Sequence, residues 1–501
     1  MSDTKSIVLV TVDCLRADHV GFLGYQKPTT PFLDTLAGES FVIPTAIVAG
    51  TPTYYSLPAI HASRYPLALG RDVLGLAPEE ATFALTLQHA GYSTAAFVAG
   101  NPYLSVRFGY DQGFDVFDDF APKQSAAAKN GAGRGSWLKP VKQALRKLRP
   151  TRGPLSALYD ELYFEYCQRK TPVPHSLDAL RQFPAADVLV DRACQWLKSV
   201  DDAPFFLWLH LMDPHAPFYP KPDALERMGS KTPTPFEARY SNSYWYRSDI
   251  GARRLSRRKD EIVTLYDACI RWVDVQVSRL VDTLNTLNRW NDCVFALTAD
   301  HGEEFLEHGE RLHAPSGLAE ELIHVPLLLR VPGTSGGAAS NAPFSLIHLA
   351  PTLLDAADIP SPTTFRGSSQ WSALRRGDDF QGVAISECVE DCTNPLRTEN
   401  RFGARILSVR DSRHKLVIHF DPWQERLFDL MNDPLELKSL AESLEKPVRR
   451  RLVQAALAHL RQGRLLRPWR ARAKARLNDL RIEWQTSALN SSQAGSNPAN
   501  G

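Results

Sequence analysis

The chain has no run approaching the ~20 consecutive apolar residues that a membrane-spanning helix needs, so no integral membrane segment is expected. Its start lacks a charged region, an apolar core and a small-residue cleavage site in succession; Met1 to Lys5 lead directly into an apolar run at 7–12. Cysteine is sparse, with seven in 501 residues, scattered and odd in number. That fits a reducing compartment better than a disulfide framework, and a cytoplasmic location is the expectation. Net charge is small, +2. Acidic residues are missing from one place, 121–153, which holds nine Lys or Arg. Arginine is dense again at 449–476. Such patches can attract an anionic substrate, a membrane surface or nucleic acid. Neither interleaves aromatics for base stacking, so no nucleic-acid partner is expected.

What is present is the ordinary material of a large globular protein. The composition, 44% hydrophobic and 23% charged, is that of a packed protein, and the length suggests two or more domains. Residues 7–12, 93–98, 204–209, 294–297 and 325–331 are short apolar runs, the mark of strands buried on both faces. Between them 82–90, 185–200, 261–287 and 346–357 carry helical periodicity. Strand, polar loop, helix recurs, which predicts an α/β fold with a large doubly wound mixed sheet flanked by helices. A first α/β domain is assigned to 1–377, with a flexible basic insertion at about 121–153. From about 378 the texture shifts to alternating strands and a closing helix, predicting a smaller antiparallel sheet plus helix over 378–486. The Ser-, Asn- and Gly-rich end, 487–501, reads as a disordered tail.

Ligands of open α/β sheets bind beyond the carboxyl ends of the strands. Asp13 follows the first strand, Asn101 the second, His210 and His215 the third, and Asp300-His301-Gly302-Glu303 the fourth. Carboxylate and imidazole together suit calcium, magnesium, manganese or zinc. Each has a plainer reading: Asp13 as a helix cap, Asn101 as a turn residue, a lone histidine as structural. Arg16 and Asp18 read as a local ion pair. Thr51, Thr53 and Ser56 crowd a Gly- and Pro-marked loop. They are candidate nucleophiles or anion ligands, although Ser56 also reads as an N-cap. A hydroxyl nucleophile needs a base or a metal to lower its pKa. His308 and His313 follow in the loop after His301.

Taken together and in order, several stretches resemble the sulfatase branch of the alkaline phosphatase superfamily. They are Val-Thr-Val-Asp13-Cys-Leu-Arg16-Ala-Asp18, His210-Leu-Met-Asp213-Pro-His215-Ala-Pro, Asp300-His301-Gly-Glu, His324-Val-Pro through Gly333, Ala350-Pro-Thr-Leu-Leu354 and Leu427-Phe-Asp-Leu-Met-Asn-Asp-Pro434. The nucleophile departs from the formylglycine pattern, a Cys or Ser followed by Pro and Arg. Here Thr53-Tyr-Tyr-Ser56-Leu-Pro58 resembles the Thr-x-x-Ser-x-Pro of phosphoethanolamine transferases. In those the Thr is both nucleophile and metal ligand, and a Thr cannot become formylglycine. Cys14 replaces the second acid of the usual Asp-Asp pair, which weighs against calcium.

The resemblance implies one divalent metal ion, zinc or manganese before calcium, on Asp13, Thr53, Asp300 and His301. It implies Thr53, His215 and His313 as catalytic groups, with His313 twelve residues after His301, as in the transferases. His210, Asn101 and Ser56 are the candidate substrate contacts. The substrate is an anionic ester of a small molecule, glycan or lipid head group, hydrolysed or transferred. Phosphate is favoured over sulfate, because a Thr ester is released most readily by attack at phosphorus. The rival is a non-catalytic binder of anionic glycans or lipids.

Overall fold

The structure, a computed structural model, describes residues 5–121, 154–201, 203–315, 317–338, 340, 342–380, 382–440 and 446–465. The basic segment at 122–153, the end of the second basic run and the 487–501 tail lie outside the described residues.

Strand β1 (Ser6–Val12) is buried along its whole length, as a continuous apolar run demands when both faces of a sheet are covered. It lies at the centre of a nine-stranded sheet with β2 (Phe41–Ile47), β3 (Ser93–Val98), β4 (Val116–Asp118), β5 (Phe205–Leu211) and β6 (Cys293–Ala299). After the two-residue hairpin strands β7 (Glu304–Phe305) and β8 (Arg311–Leu312), the sheet is completed by β9 (His324–Arg330), β10 (Gly337–Ala338) and β11 (Phe344–Ser345). The order is β10-β2-β9-β6-β1-β5-β3-β4, with β11 beside β2. β1 pairs in parallel with β5 and β6, and β3 in parallel with β4 and β5. β9 alone runs against its neighbours β2 and β6. The mixed, doubly wound sheet is as the sequence predicts. The ends of β1, β2, β3, β5 and β6 therefore share one edge, and Asp13, Thr53 with Ser56, Asn101, and His210 with His215 reach it from four different strands.

Helices cover the faces by presenting one apolar stripe. Ala186–Ser199 buries Leu189, Val190, Ala193 and Leu197. The 28-residue helix Lys259–Thr286 buries Ile262, Leu265, Ile270, Val273 and Val277. No helix of the described residues is long and apolar enough to cross a membrane.

Beyond 378 a four-stranded antiparallel sheet forms, β12 (Ala384–Val389), β13 (Arg405–Arg410), β14 (His414–Phe420) and β15 (Trp423–Asp429). Leu407, Val409, Leu416 and Ile418 pack under Leu452 and Ala456 of helix Lys446–Leu465. The Glu387 amide donates to the Ala49 carbonyl at 3.0 Å, tying β12 to the chain just beyond β2. The Glu387 carboxylate is fully buried, accepts the Leu67 amide at 3.0 Å and pairs with Arg405 and His459.

Two features differ from the sequence reading. β2 was not anticipated, because Pro44 interrupts its pattern. The ladder to β9 shifts register between Ile43 and Ala46, which accommodates a residue without an N–H. β5 runs on to Leu211, so His210 is the penultimate strand residue and not a loop residue.

Candidate active site

Asp13 directly follows β1, and its amide donates to the Leu211 carbonyl at 2.8 Å. It caps no helix; the next turn is capped by Arg16. Its carboxylate is the hub of the site. Oδ2 lies 3.3 Å from His210 Nε2 and 3.4 Å from Thr53 Oγ1, and accepts Asn101 Nδ2 at 3.1 Å. Oδ1 lies 3.7 Å from His301 Nε2 and accepts the Cys14 thiol at 3.1 Å. Asn101 also accepts the Tyr103 amide at 3.0 Å, so it braces Asp13 from the end of β3.

Thr53 is the first residue of helix Thr53–Ala62, and its Oγ1 stands 3.3 Å from His301 Nε2. A hydroxyl there faces the positive end of the helix dipole, which favours its anionic form. The cap reading of Ser56 fails. Pro52 occupies the N-cap position, and Ser56 Oγ donates to the Thr53 carbonyl at 3.2 Å inside the first turn. Among the described contacts neither Ser56 nor Thr51 reaches Asp13, Asp300 or His301.

Asp300 and His301 leave β6 together. Asp300 Oδ1 accepts the His301 amide at 2.9 Å, and Oδ2 is 3.5 Å from His301 Nε2. Gly302 makes the turn possible for steric reasons: a Cβ there would stand 1.9 Å from the Glu321 carbonyl oxygen. Arg16 does form the expected pair with Asp18, at 2.8 and 2.7 Å. It also donates to the Glu303 carbonyl at 2.9 Å and to Glu307 at 2.8 Å, fastening the loop after His301 to the loop after β1.

The histidines share a pattern. His301 Nδ1 lies 2.9 Å from the Gly302 carbonyl, His215 Nδ1 2.6 Å from the Ala216 carbonyl, and His313 Nδ1 3.0 Å from Glu303 Oε2. His210 Nδ1 lies 2.9 Å from Thr11 Oγ1, whose own proton goes to the Leu209 carbonyl at 3.2 Å. An acceptor at Nδ1 fixes the proton there and leaves Nε2 as the free nitrogen. The rings of His215 and His301 stand 4.9 and 4.8 Å from His313. Glu303, fully buried and engaging His313, belongs to this cluster although the Asp300-His301-Gly-Glu motif by itself assigns it no role. Its signal was its place three residues after Asp300. His308 turns elsewhere, with Nε2 3.1 Å from Glu321 Oε1.

The electrostatics call for a cation. Burial alone would raise Asp13; the imidazoles of His215, His210 and His301 outweigh it and hold Asp13 well below the usual carboxylate range. Burial, then the facing Asp13 charge, pushes Asp300 up to about 8. Burial pushes His301 down to about 4, and burial likewise lowers His215. For His313 burial is outweighed by Glu303, which takes it up to about 9. Burial and the surrounding carboxylates hold the Cys14 thiol well above its ordinary value. Asp300 Oδ2 is buried and accepts no hydrogen bond from the described residues. An orphaned buried carboxylate oxygen beside unprotonated Nε2 atoms is a ligand set wanting a divalent ion. Asp13, His210 and Asp300, and likewise Asp13, Cys14 and His301, bring donor atoms within 4.8 Å of one another. The residues present fit a metal.

The edge thus gathers a hydroxyl at a helix start, 3.4 Å from Asp13 and 3.3 Å from His301, beside a second buried acid, Asp300. The chain belongs to the sulfatase family, whose profile matches residues 5–359; a second profile, N-sulphoglucosamine sulphohydrolase, C-terminal, matches residues 316–463. Arylsulfatase K of Mus musculus is 25% identical over 287 residues, covering 50% of this chain and 49% of the relative. The chain thus spans about half the length of that relative. An arylsulfatase of Clostridium perfringens is 24% identical over 479 residues, covering 88% and 91%. Among solved structures, the phosphonate monoester hydrolase of Agrobacterium radiobacter superposes with a TM-score of 0.65 at 20% identity, covering 92% of this chain and 96% of its own. At that identity the likeness is one of fold.

Proposed function

We propose that the protein is a metal-dependent hydrolase or transferase of an anionic ester, with the Thr53 hydroxyl as nucleophile. The observation that carries the reading is the position of Thr53 Oγ1, 3.4 Å from Asp13 Oδ2 and 3.3 Å from His301 Nε2 at the start of a helix. Asp13, Asp300, His301 and Thr53 would hold the ion. The ion, zinc or manganese before calcium, would supply charge that lowers the pKa of the hydroxyl and polarises the ester.

This chain's residues do the rest. The Thr53 hydroxyl proton points at Asp13 Oδ2 as its oxygen attacks the phosphorus or sulfur. His313, held in its charged form by Glu303, donates to an ester oxygen. His215 stands beside it, and one of the two returns a proton to the leaving alkoxide. His210 holds Asp13 in place. Water or an acceptor alcohol then releases the group from Thr53.

Phosphate and phosphonate esters are favoured, because a threonine ester is opened by attack at phosphorus, whereas the formylglycine hydrate that releases sulfate is unavailable to Thr. A second reading, sulfate-ester hydrolysis, draws on the names of the relatives, which are arylsulfatases. A non-catalytic binder gains no support from a site whose hydroxyl, acids and histidines all converge.

The test is a panel of aryl phosphate, phosphonate monoester, phosphodiester and sulfate ester, run on chelated protein reloaded with zinc, manganese or calcium. Turnover of the phosphorus esters, abolished by chelator, is expected. Turnover of sulfate alone transfers the case to the second reading, and no turnover with any metal sinks both.

A further inference from the structure

We infer that the Cys14 sulfur is itself a ligand of the cation held by Asp13, Asp300 and His301, making the centre a zinc-type thiolate site. The inference rests on the metal-dependent reading above.

The first observation is a break in strand geometry. Successive side chains of an extended strand point to opposite faces, so Asp13 and Cys14 would diverge if β1 ran straight on. Cys14 instead adopts φ 60, a left-handed conformation that a residue with a Cβ seldom takes. Such strain costs about 1–3 kcal/mol and persists where the surroundings enforce it. The kink turns the sulfur back to the side of its neighbour, so that Sγ lies 3.1 Å from Asp13 Oδ1.

The kink is enforced from below. Tyr266, on the long helix Lys259–Thr286, donates to the Cys14 carbonyl at 2.7 Å and accepts the Arg16 amide at 3.0 Å. Glycine or asparagine would make this turn with less strain. A cysteine there is informative for its side chain, and that side chain is fully buried against the donor set.

The second observation is the donor set. Cys14, Asp13 and His301 are all buried, and their ligand atoms lie within 4.8 Å of one another. Zinc bonds of about 2.3 Å to sulfur and about 2.0–2.2 Å to nitrogen and oxygen put neighbouring ligand atoms roughly 3.5 Å apart. Asp300 Oδ2, buried, 3.5 Å from His301 Nε2 and with no hydrogen bond of ordinary geometry among the described residues, supplies a further donor. A thiolate beside imidazole and carboxylate moves preference toward zinc or cobalt and away from calcium. Binding forms a metal–sulfur bond, breaks the S–H bond and releases its proton to solvent.

Cys14 Sγ also stands 3.4 Å from His313 Nδ1 and within 4.8 Å of a ligand atom of His215. The Asp13–His301 side is preferred because both groups are fully buried, whereas the His313 side chain is 21% exposed and engaged by Glu303.

Full-length protein is chelated and titrated with cobalt(II). The expected result is one equivalent bound, with a thiolate-to-cobalt charge-transfer band in the near ultraviolet that Cys14→Ser removes while cobalt still binds. Zinc affinity relative to manganese falls at least about tenfold in that variant. Zinc-edge X-ray absorption on the unmutated protein needs no variant, and a sulfur scatterer near about 2.3 Å is expected. Stoichiometric cobalt without the band, or zinc without sulfur, overturns the assignment but leaves the metal-dependent reading standing. No metal uptake overturns both. A band lost in His215→Ala but kept in Asp300→Ala assigns the sulfur to the other histidines and overturns the inference.

Discussion

Replacing Asp300 by Asn should stabilise the metal-free protein and destroy its response to metal. Asp300 is fully buried beside Asp13, and in the absence of a cation it titrates near 8 in place of 3.8. The native state therefore binds more protons than the unfolded chain between pH 3.8 and about 8, so chelated wild type loses stability as pH rises through that window. The gap between the two titration points carries on the order of 5 kcal/mol. Asn has the shape of the protonated acid and no charge to bury. In chelator, Asp300→Asn should match wild type near pH 4 and exceed it by several kcal/mol, on the order of 3–5, at pH 8. With zinc at a hundredfold excess over Kd, wild type gains about 2.7 kcal/mol, and the variant gains almost none. Urea unfolding at both pH values, with and without metal, reads all four quantities. Chelated Asp300→Asn that is no more stable than wild type at pH 8 would refute the argument that this carboxylate is a charge waiting for a cation.

Thr53→Ala should lose at least about a thousandfold in kcat, the scale seen when a nucleophile is removed, while Thr53→Ser keeps measurable turnover; steady-state kinetics on the best ester decide it. Tyr266→Phe removes the hydroxyl that pins the Cys14 kink at 2.7 Å, so metal affinity by competition titration should fall roughly 10–100-fold, as for other groups that orient ligands. Glu387→Gln strips the charge from a buried pair with Arg405 and His459, and chemical denaturation should show a loss of about 3–5 kcal/mol. In the wild type that carboxyl is raised by burial but pulled down to about 2 overall by Arg405 and His459. Its contribution is therefore complete above pH 4.5 and lost as pH falls toward 2, and an acid titration of stability that is flat below 4.5 would count against it.

The fold was legible where a strand is buried on both faces, because such strands are apolar throughout and end abruptly in polar residues. β1, β3, β6 and β9 announced themselves this way, and the loops after β1 and β6 supplied Asp13, Asp300 and His301. β2 did not, since Pro44 breaks its pattern and its partners β9 and β11 lie some three hundred residues away in sequence. The site was legible residue by residue but not in its supports. Nothing local told that Glu303 would hold His313, that Tyr266 would pin Cys14, or that Arg16 would reach Glu307 across the sheet edge. Those contacts depend on tertiary packing, and a hydroxyl such as Ser56 reads alike as cap, ligand or filler until its helix is in place.

The central claim is that an anionic ester is opened by the Thr53 hydroxyl. Rapid acid quench of the metal-loaded protein with its best aryl ester, followed by peptide mass mapping, tests it most directly. A covalent phosphoryl, phosphonyl or sulfuryl group is expected on the peptide containing Thr53, formed no slower than turnover and absent from Thr53→Ala. Unimpaired turnover by Thr53→Ala, or steady turnover in wild type with the adduct on another residue, would contradict it.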